Sequence, residues 1–304
     1  MKPGSWATLE TGGPGKLVRA PHKKGLNIMT WSDDAHWDSR TGQFFFMGLR
    51  QARRFIAYSE EKNAWRNIPL PRDHKAAGSP PLGSGFGHIY SRNALDPEKS
   101  RFYHMVNDAG GAIHRYDIAS GTWTKLPAGG SYMMTGVIEY FSARKGLVNL
   151  GWSKHGLRFF SEEKQAWEKL GSVPVHGHHS MGRHNPVRQE VLLAGGSTSA
   201  KVVIVLDRDG KIKRMKDCPV PLTIRFDLIT VDPVSGRYLI MSRSSRKLLE
   251  FDSAKNEYRL VTDFTKAPWP FGYHDHPVVA FIREYGVTMW VAKKVWLYKH
   301  DAVK

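Results

Sequence analysis

One phrase recurs along this 304-residue chain and limits what it can fold into. Its clearest form is Ile113-His114-Arg115-Tyr116-Asp117-Ile118-Ala119-Ser120-Gly121-Thr122-Trp123-Thr124-Lys125-Leu126-Pro127: a short strand, a polar turn, and a second strand opening on Trp. Phe55-Ile56-Ala57-Tyr58 followed by Ser59-Glu60-Glu61-Lys62-Asn63-Ala64-Trp65 is a second copy, and Phe159-Phe160 followed by Ser161-Glu162-Glu163-Lys164-Gln165-Ala166-Trp167 nearly repeats it. Val205 to Ile212 and Glu250 to Tyr258 are further copies. The two ring-bearing positions are seven residues apart at 58/65, 116/123, 160/167 and 251/258, while Leu206 and Ile212 are six apart. A hairpin needs a short turn of Gly, Asn, Asp or Ser between half-buried runs, and every copy supplies one. Repetition at this scale means an array of like units, so it governs the reading of everything else.

Each hairpin is preceded by a more apolar run. Examples are Phe44-Phe45-Phe46-Met47, Leu147-Val148-Asn149-Leu150, Val191-Leu192-Leu193-Ala194 and Tyr238-Leu239-Ile240-Met241. Before each run stands a turn such as Asp96-Pro97-Glu98-Lys99-Ser100, and before that a fourth short strand. Four strands per unit, with the second apolar enough to be covered on both faces, describe a propeller blade. Five units are complete. The sixth stops at Lys304 without its last strand, while Gly4-Ser5-Trp6-Ala7-Thr8-Leu9 matches the missing Gly121-Thr122-Trp123-Thr124-Lys125-Leu126. The expectation is an all-β, six-bladed propeller forming one domain over 1–304. Its blades are predicted near 26–70, 86–128, 135–172, 178–218, 224–262 and 276–300, with segment 4–10 closing the ring. Closure leaves no interior sheet edge to aggregate.

The aromatic-Asp, turn, Trp pattern, with Gly110-Gly111 and Gly195-Gly196 after the second strand, resembles kelch repeats and the wider galactose-oxidase-like propellers. The resemblance covers nearly the whole chain. It implies a binding or scaffold protein more often than an enzyme, and it carries shape rather than activity. The copper-radical chemistry of the galactose-oxidase family needs a crosslinked Tyr–Cys pair. Cys218, the single cysteine, stands beside Pro219 and is read as a structural thiol. No cofactor is expected.

Charge carries the functional signal. There are 45 basic and 28 acidic residues, a net charge of +17. In a propeller, the loops between second and third strands emerge on the same face as the blade-to-blade connectors. Those loops hold Arg50, Arg53 and Arg54, then Lys154, then Lys201, then Arg243, Arg246 and Lys247, then Lys293 and Lys294. Asp108 is their lone acid. The opposite turns mix Glu60, Glu61, Glu98, Glu162, Glu163, Asp207 and Asp209 with lysines. A cationic rim of this kind attracts an anionic partner, either an acidic glycan or an acidic protein surface. The connectors, including Trp269 and Tyr273 in residues 264–277, add long loops on that face, which suit ligand contact or docking of a neighbouring subunit.

Fourteen histidines are the other peculiarity. Many stand near the connector-to-first-strand junctions, where a propeller gathers sequence-distant residues at the mouth of its axis. His178, His179, His274 and His276 form a weak metal candidate. His88, Tyr140, Arg144, His179 and Arg225 are the candidates for a lyase that cleaves uronate glycans by β-elimination. Such an enzyme needs a donor to neutralise the carboxylate, a base for the C5 proton and an acid for the leaving oxygen. The arrangement resembles that of some propeller lyases, a resemblance that implies a second histidine on the second strand, about where Asn107-Asp108 stand. Blade packing explains Trp31, Trp37, Trp152 and Trp269 better than sequence-specific nucleic-acid reading does. No apolar run is long enough for a membrane helix. Met1-Lys2-Pro3 runs into the closing strand without a secretory leader. The expected location is therefore the cytoplasm or an assembled particle such as a virus or phage tail, with secretion only if a leader has been removed. The preferred reading is a non-enzymatic module in a larger assembly, with the lyase as alternative.

Overall fold

The structure is a computed structural model that describes residues 1–18, 35–48, 54–70, 91–105, 112–127, 136–151, 156–175, 179–197, 199–224, 227–271 and 277–302. Its strands form six separate four-stranded antiparallel sheets, each in simple sequential order. The first strands are Ala35–Asp38, Asn93–Asp96, Val137–Phe141, Ser180–Asn185, Asp227–Val231 and Val278–Ile282 in blades 1 to 6. The last sheet is completed by Ser5–Leu9, paired antiparallel to Val295–Lys299, with Trp6 opposite Tyr298. The ring is closed as the sequence predicts.

Register gives the repeated spacing a physical meaning. Tyr58 faces Trp65, Tyr116 faces Trp123, Phe160 faces Trp167, Phe251 faces Tyr258 and Leu206 faces Ile212. Ring centroids of the first four pairs lie 5.0, 5.0, 5.1 and 4.4 Å apart. Cross-strand aromatic pairs are a unit of sheet stabilisation, and here they also reach outward. The Trp123 and Trp167 indoles donate to the carbonyls of Pro69 (3.0 Å) and Pro127 (3.2 Å), each just past the last strand of the preceding blade. Trp65 does the same to Thr11 Oγ1 at 3.0 Å, and the Tyr258 hydroxyl to the Lys216 carbonyl at 3.2 Å. The repeated aromatic thus ties neighbouring blades together.

Turn chemistry fits the same frame. The residue two before each fourth-strand aromatic, or before Ile212, is left-handed: Asn63, Gly121, Gln165, Gly210 and Asn256. Gly236, in the first turn of blade 5, combines φ 68° with crowding, since a Cβ there would stand 2.9 Å from Val187 Cγ1 of blade 4. Only Gly meets both demands cheaply. Second strands are buried along almost their whole length, whereas fourth strands such as Thr122–Leu126 are largely exposed. The core therefore lies between neighbouring sheets. The helical pieces among the described residues are the 3-10 turns Gly15–Val18 and Ser142–Arg144, and no helix is long and apolar enough to cross a membrane.

The strand order fixes two faces. First-to-second and third-to-fourth turns make a turn face. Second-to-third loops and blade-to-blade connectors make a connector face.

Candidate functional site

Several of the cations that the sequence assigns to the connector face lie among the described residues, in or beside the loops between second and third strands. Lys201 lies in the blade 4 loop, Arg243 and Arg246 in the blade 5 loop, and Lys293 and Lys294 in the blade 6 loop, with Lys247 opening the strand after Arg246. Arg54 opens the third strand of blade 1 and donates to the Leu17 carbonyl at 2.6 Å. Arg50, Arg53, Lys154 and Tyr273 lie outside the described residues. Trp269 packs edge-on against Phe264 and Phe271, at 5.0 and 5.7 Å, so much of its ring is committed to the connector's own core. Among the described residues, Lys201, Arg246, Lys247, Lys293 and Lys294 form no ion pair.

The turn face and the outer strands beside it are wired differently. Glu162 receives Lys99 at 3.2 Å, Arg101 at 2.9 Å, Arg115 at 3.1 Å and the Tyr103 hydroxyl at 2.6 Å. Burial works against ionising Glu162, but these hydrogen bonds and the Arg101 charge overcome it and hold the carboxyl below its ordinary range. Arg144 pairs with Glu168, and Lys145 with Glu98 at 3.8 Å. Between blades 4, 5 and 6, Glu250 receives Arg237 at 3.1 Å, Arg259 at 2.8 Å and His300 at 2.5 Å, while Arg188 binds Asp252 at 2.8 Å. Sequence inspection finds the acids and bases of these turns but not the pairings, because partners such as Arg101 and Glu162 sit 61 positions apart in neighbouring blades.

Two histidines stand on first strands at the axis: His36 is the second residue of the blade 1 first strand. His184 is the fifth of six residues in the blade 4 first strand and lies toward the turn end. Between them Arg183, 1% exposed, reaches across the ring. Its Nε donates to the Ile229 carbonyl of blade 5 at 2.9 Å, and its Nη1 to the Ala35 carbonyl of blade 1 at 3.2 Å. Blades 1 and 4 are opposite in a ring of six, so this guanidinium forms a strut through the axis. On its turn-face side lies a cavity of about 410 Å³, lined by residues of blades 1, 2, 3, 4 and 6. Burial first, and then the Arg183 charge, depress both imidazoles: His184 falls to about 3 and His36 moves well below its ordinary range.

Of the lyase candidates, Tyr140, Arg144 and His179 are among the described residues, and these three are divided between the two faces. Tyr140 and Arg144 stand at the turn end of blade 3, the Tyr140 ring edge-on to His184 at 5.8 Å. His179 precedes the blade 4 first strand at the connector end, with φ 71°. His88 and Arg225 lie outside the described residues. Of the metal candidates, His178, His274 and His276 also lie outside them, leaving His179. Among the described residues no cluster of three His, Cys, Asp or Glu side chains has a metal-ligating arrangement. Cys218 is buried, and burial pushes its thiol up to about 12, as suits a packing residue.

With this geometry in hand, the chain is similar in fold to several solved structures. A virginiamycin B lyase from Staphylococcus aureus superposes with a TM-score of 0.58 at 13% identity, over 86% of this chain and 78% of that one. An auxiliary nutrient binding protein from Bacteroides thetaiotaomicron superposes at 0.61 and 9% identity, over 88% and 68%. A chain of a nidogen/laminin complex superposes at 0.54 and 10% identity, over 74% and 76%. At these identities the likeness is one of fold. No family model and no curated protein matches the sequence.

Proposed function

We propose that this protein is a non-enzymatic, kelch-like binding ring whose connector face docks an anionic partner, an acidic glycan or an acidic protein surface, inside a larger assembly such as a virus or phage tail. The observation that carries the reading is the set Lys201, Arg246, Lys247, Lys293 and Lys294: cations on one face of three adjacent blades, none in an ion pair among the described residues. Unpaired cations on a rigid rim keep their field directed outward, where it steers and holds anions. Two of the similar structures are named for binding or complex formation, which supports the ring as a recognition scaffold by analogy of fold alone.

Retention on a heparin column tests this. The protein binds and elutes with salt, and Lys247→Glu with Lys293→Glu and Lys294→Glu abolishes retention while leaving melting unchanged. Equal retention of wild type and triple variant ends the proposal. The alternative, a uronate lyase, is tested by mixing the protein with polyuronates and following the absorbance of unsaturated ends. Their appearance would displace the binding-only reading. The division of Tyr140 and Arg144 from His179 between two faces weighs against it.

A further inference from the structure

We infer that the cup on the turn face is a second binding site, separate from the cationic connector face, and that it takes an uncharged polyhydroxylated molecule of the sugar class. The inference begins with the Arg183 strut. Because its guanidinium bonds to carbonyls of blades 5 and 1, it is held fixed at the axis as part of the cavity's wall. At about 410 Å³ the cup falls within the range of small-ligand sites, roughly 300 to 1,000 Å³.

Five of its polar side chains share one property. His36, His184, Ser39, Ser142 and Gln189 line it, and both imidazoles stay neutral because burial and the Arg183 charge oppose a second proton. A neutral imidazole, a hydroxyl and an amide each both donate and accept, which is the pattern that matches a ring of hydroxyls. His184 Nε2 already meets Ser142 Oγ at 2.9 Å, so the two are aligned at the wall. Trp37 is also on the wall. Its ring is nearly buried, and its indole nitrogen has no hydrogen-bond partner among the described residues. Pro97, Pro186, Leu95 and Phe281 give the remaining wall apolar surface for the C–H face of a sugar ring.

Charge decides against an anionic ligand. The cup holds Arg183 with Glu139 inside, and Arg283 with Glu98 and Glu284 at the rim, two cations against three acids. There is no positive surplus to draw in an anion, unlike the connector face, and the neutral histidines add none. Asp96 and Tyr140 are not part of the cup's lining and do not enter that balance.

Isothermal titration calorimetry on the full chain tests the assignment with glucose, galactose, mannose, N-acetylglucosamine, cellobiose and lactose, and with glucuronate and galacturonate as charged counterparts. The expected result is saturable one-to-one binding of at least one neutral sugar, insensitive to salt. Ser142→Ala and Gln189→Ala weaken it about tenfold each through lost hydrogen bonds, while Lys293→Glu leaves it unchanged. Ser142 and Gln189 sit in turns outside the sheet core, so both variants are expected to fold, and their unchanged melting checks this. Binding by no neutral sugar, tighter binding of the uronates, or equal affinity in both wall variants would each overturn the assignment. Heparin retention is read separately, so failure of the cup and failure of the connector face are distinguishable.

Discussion

The two faces of this ring carry similar residues and use them differently. On the turn side, Arg101, Arg115, Arg144, Arg188, Arg237 and Arg259 all end on carboxylates of the same or a neighbouring blade. On the connector side, Lys201, Arg246, Lys247, Lys293 and Lys294 make no such pair among the described residues. Net charge therefore says little about either face by itself. A cation whose field terminates on a nearby carboxylate contributes to stability and specificity of packing, whereas an unpaired cation on a loop contributes to association.

That contrast can be broken at its strongest point first. Glu250 is 4% exposed and holds Arg237, Arg259 and His300 together, so Glu250→Ala removes the carboxylate on which three side chains converge, and of these Arg237 keeps Asp252. A loss of about 3 kcal/mol in denaturant unfolding is expected, with heparin retention preserved in the folded fraction. A nearly neutral outcome would show that the turn-side network is ornamental.

The connector-face counterpart reverses the pattern. Lys247→Glu, Lys293→Glu and Lys294→Glu together should weaken polyanion binding about a hundredfold and flatten its salt dependence, with unfolding midpoints unchanged. Lys145→Glu, whose native partner is Glu98 on the turn face, serves as the matched control and should leave retention as it was.

The two ends of the axis should also differ in pH response. His184 has a folded value of about 3, below its unfolded value, and His36 is shifted the same way. As pH falls below about 6.5 the unfolded chain takes up protons that the folded chain refuses, so each such group removes about 1.4 kcal/mol of stability per pH unit. Asp227, at the connector end of the blade 5 first strand, is raised by burial to about 7. It is protonated in the fold and ionised in the unfolded chain between about 3.9 and 7, so it removes stability as pH rises through that window. His184→Gln should therefore shallow the acid limb of the stability profile. Asp227→Asn should raise stability near neutral pH, with the Thr223 amide, 2.7 Å from the carboxyl, still accepted by the side chain. Identical pH profiles for wild type and both variants would remove the difference between the two ends.

The smallest effect concerns the ties between blades. Trp123→Phe keeps the ring facing Tyr116 but loses the bond to the Pro69 carbonyl, and should cost about 1 kcal/mol in thermal or denaturant unfolding. A larger loss would mean that these ties act cooperatively around the circle.

Much of the architecture was readable in the sequence because hairpins are local. Tyr116 and Trp123 are seven positions apart and face each other across one turn, so spacing alone reports the register. Closure was readable for the same reason, since Trp6 repeats the context of Trp123 and the last unit lacks that strand. The connector-face cations followed from topology, because strand order assigns each loop to a face without any side-chain detail. The axial histidines did not follow. His36 and His184 line the same turn-face cup, a meeting of blades 1 and 4 that no local spacing reports. No local signal marks a residue such as Arg183, whose bonds to Ala35 and Ile229 span 148 and 46 positions.

The sequence by itself determined the blade, its repetition, the strand that closes the ring and the side from which each loop emerges. Periodicity and turn chemistry act over a few residues and need no knowledge of distant partners. The tertiary structure alone decided which charges are paired and which imidazoles are neutral. Those properties depend on distances between first strands of different blades, and such distances exist only after the circle has closed.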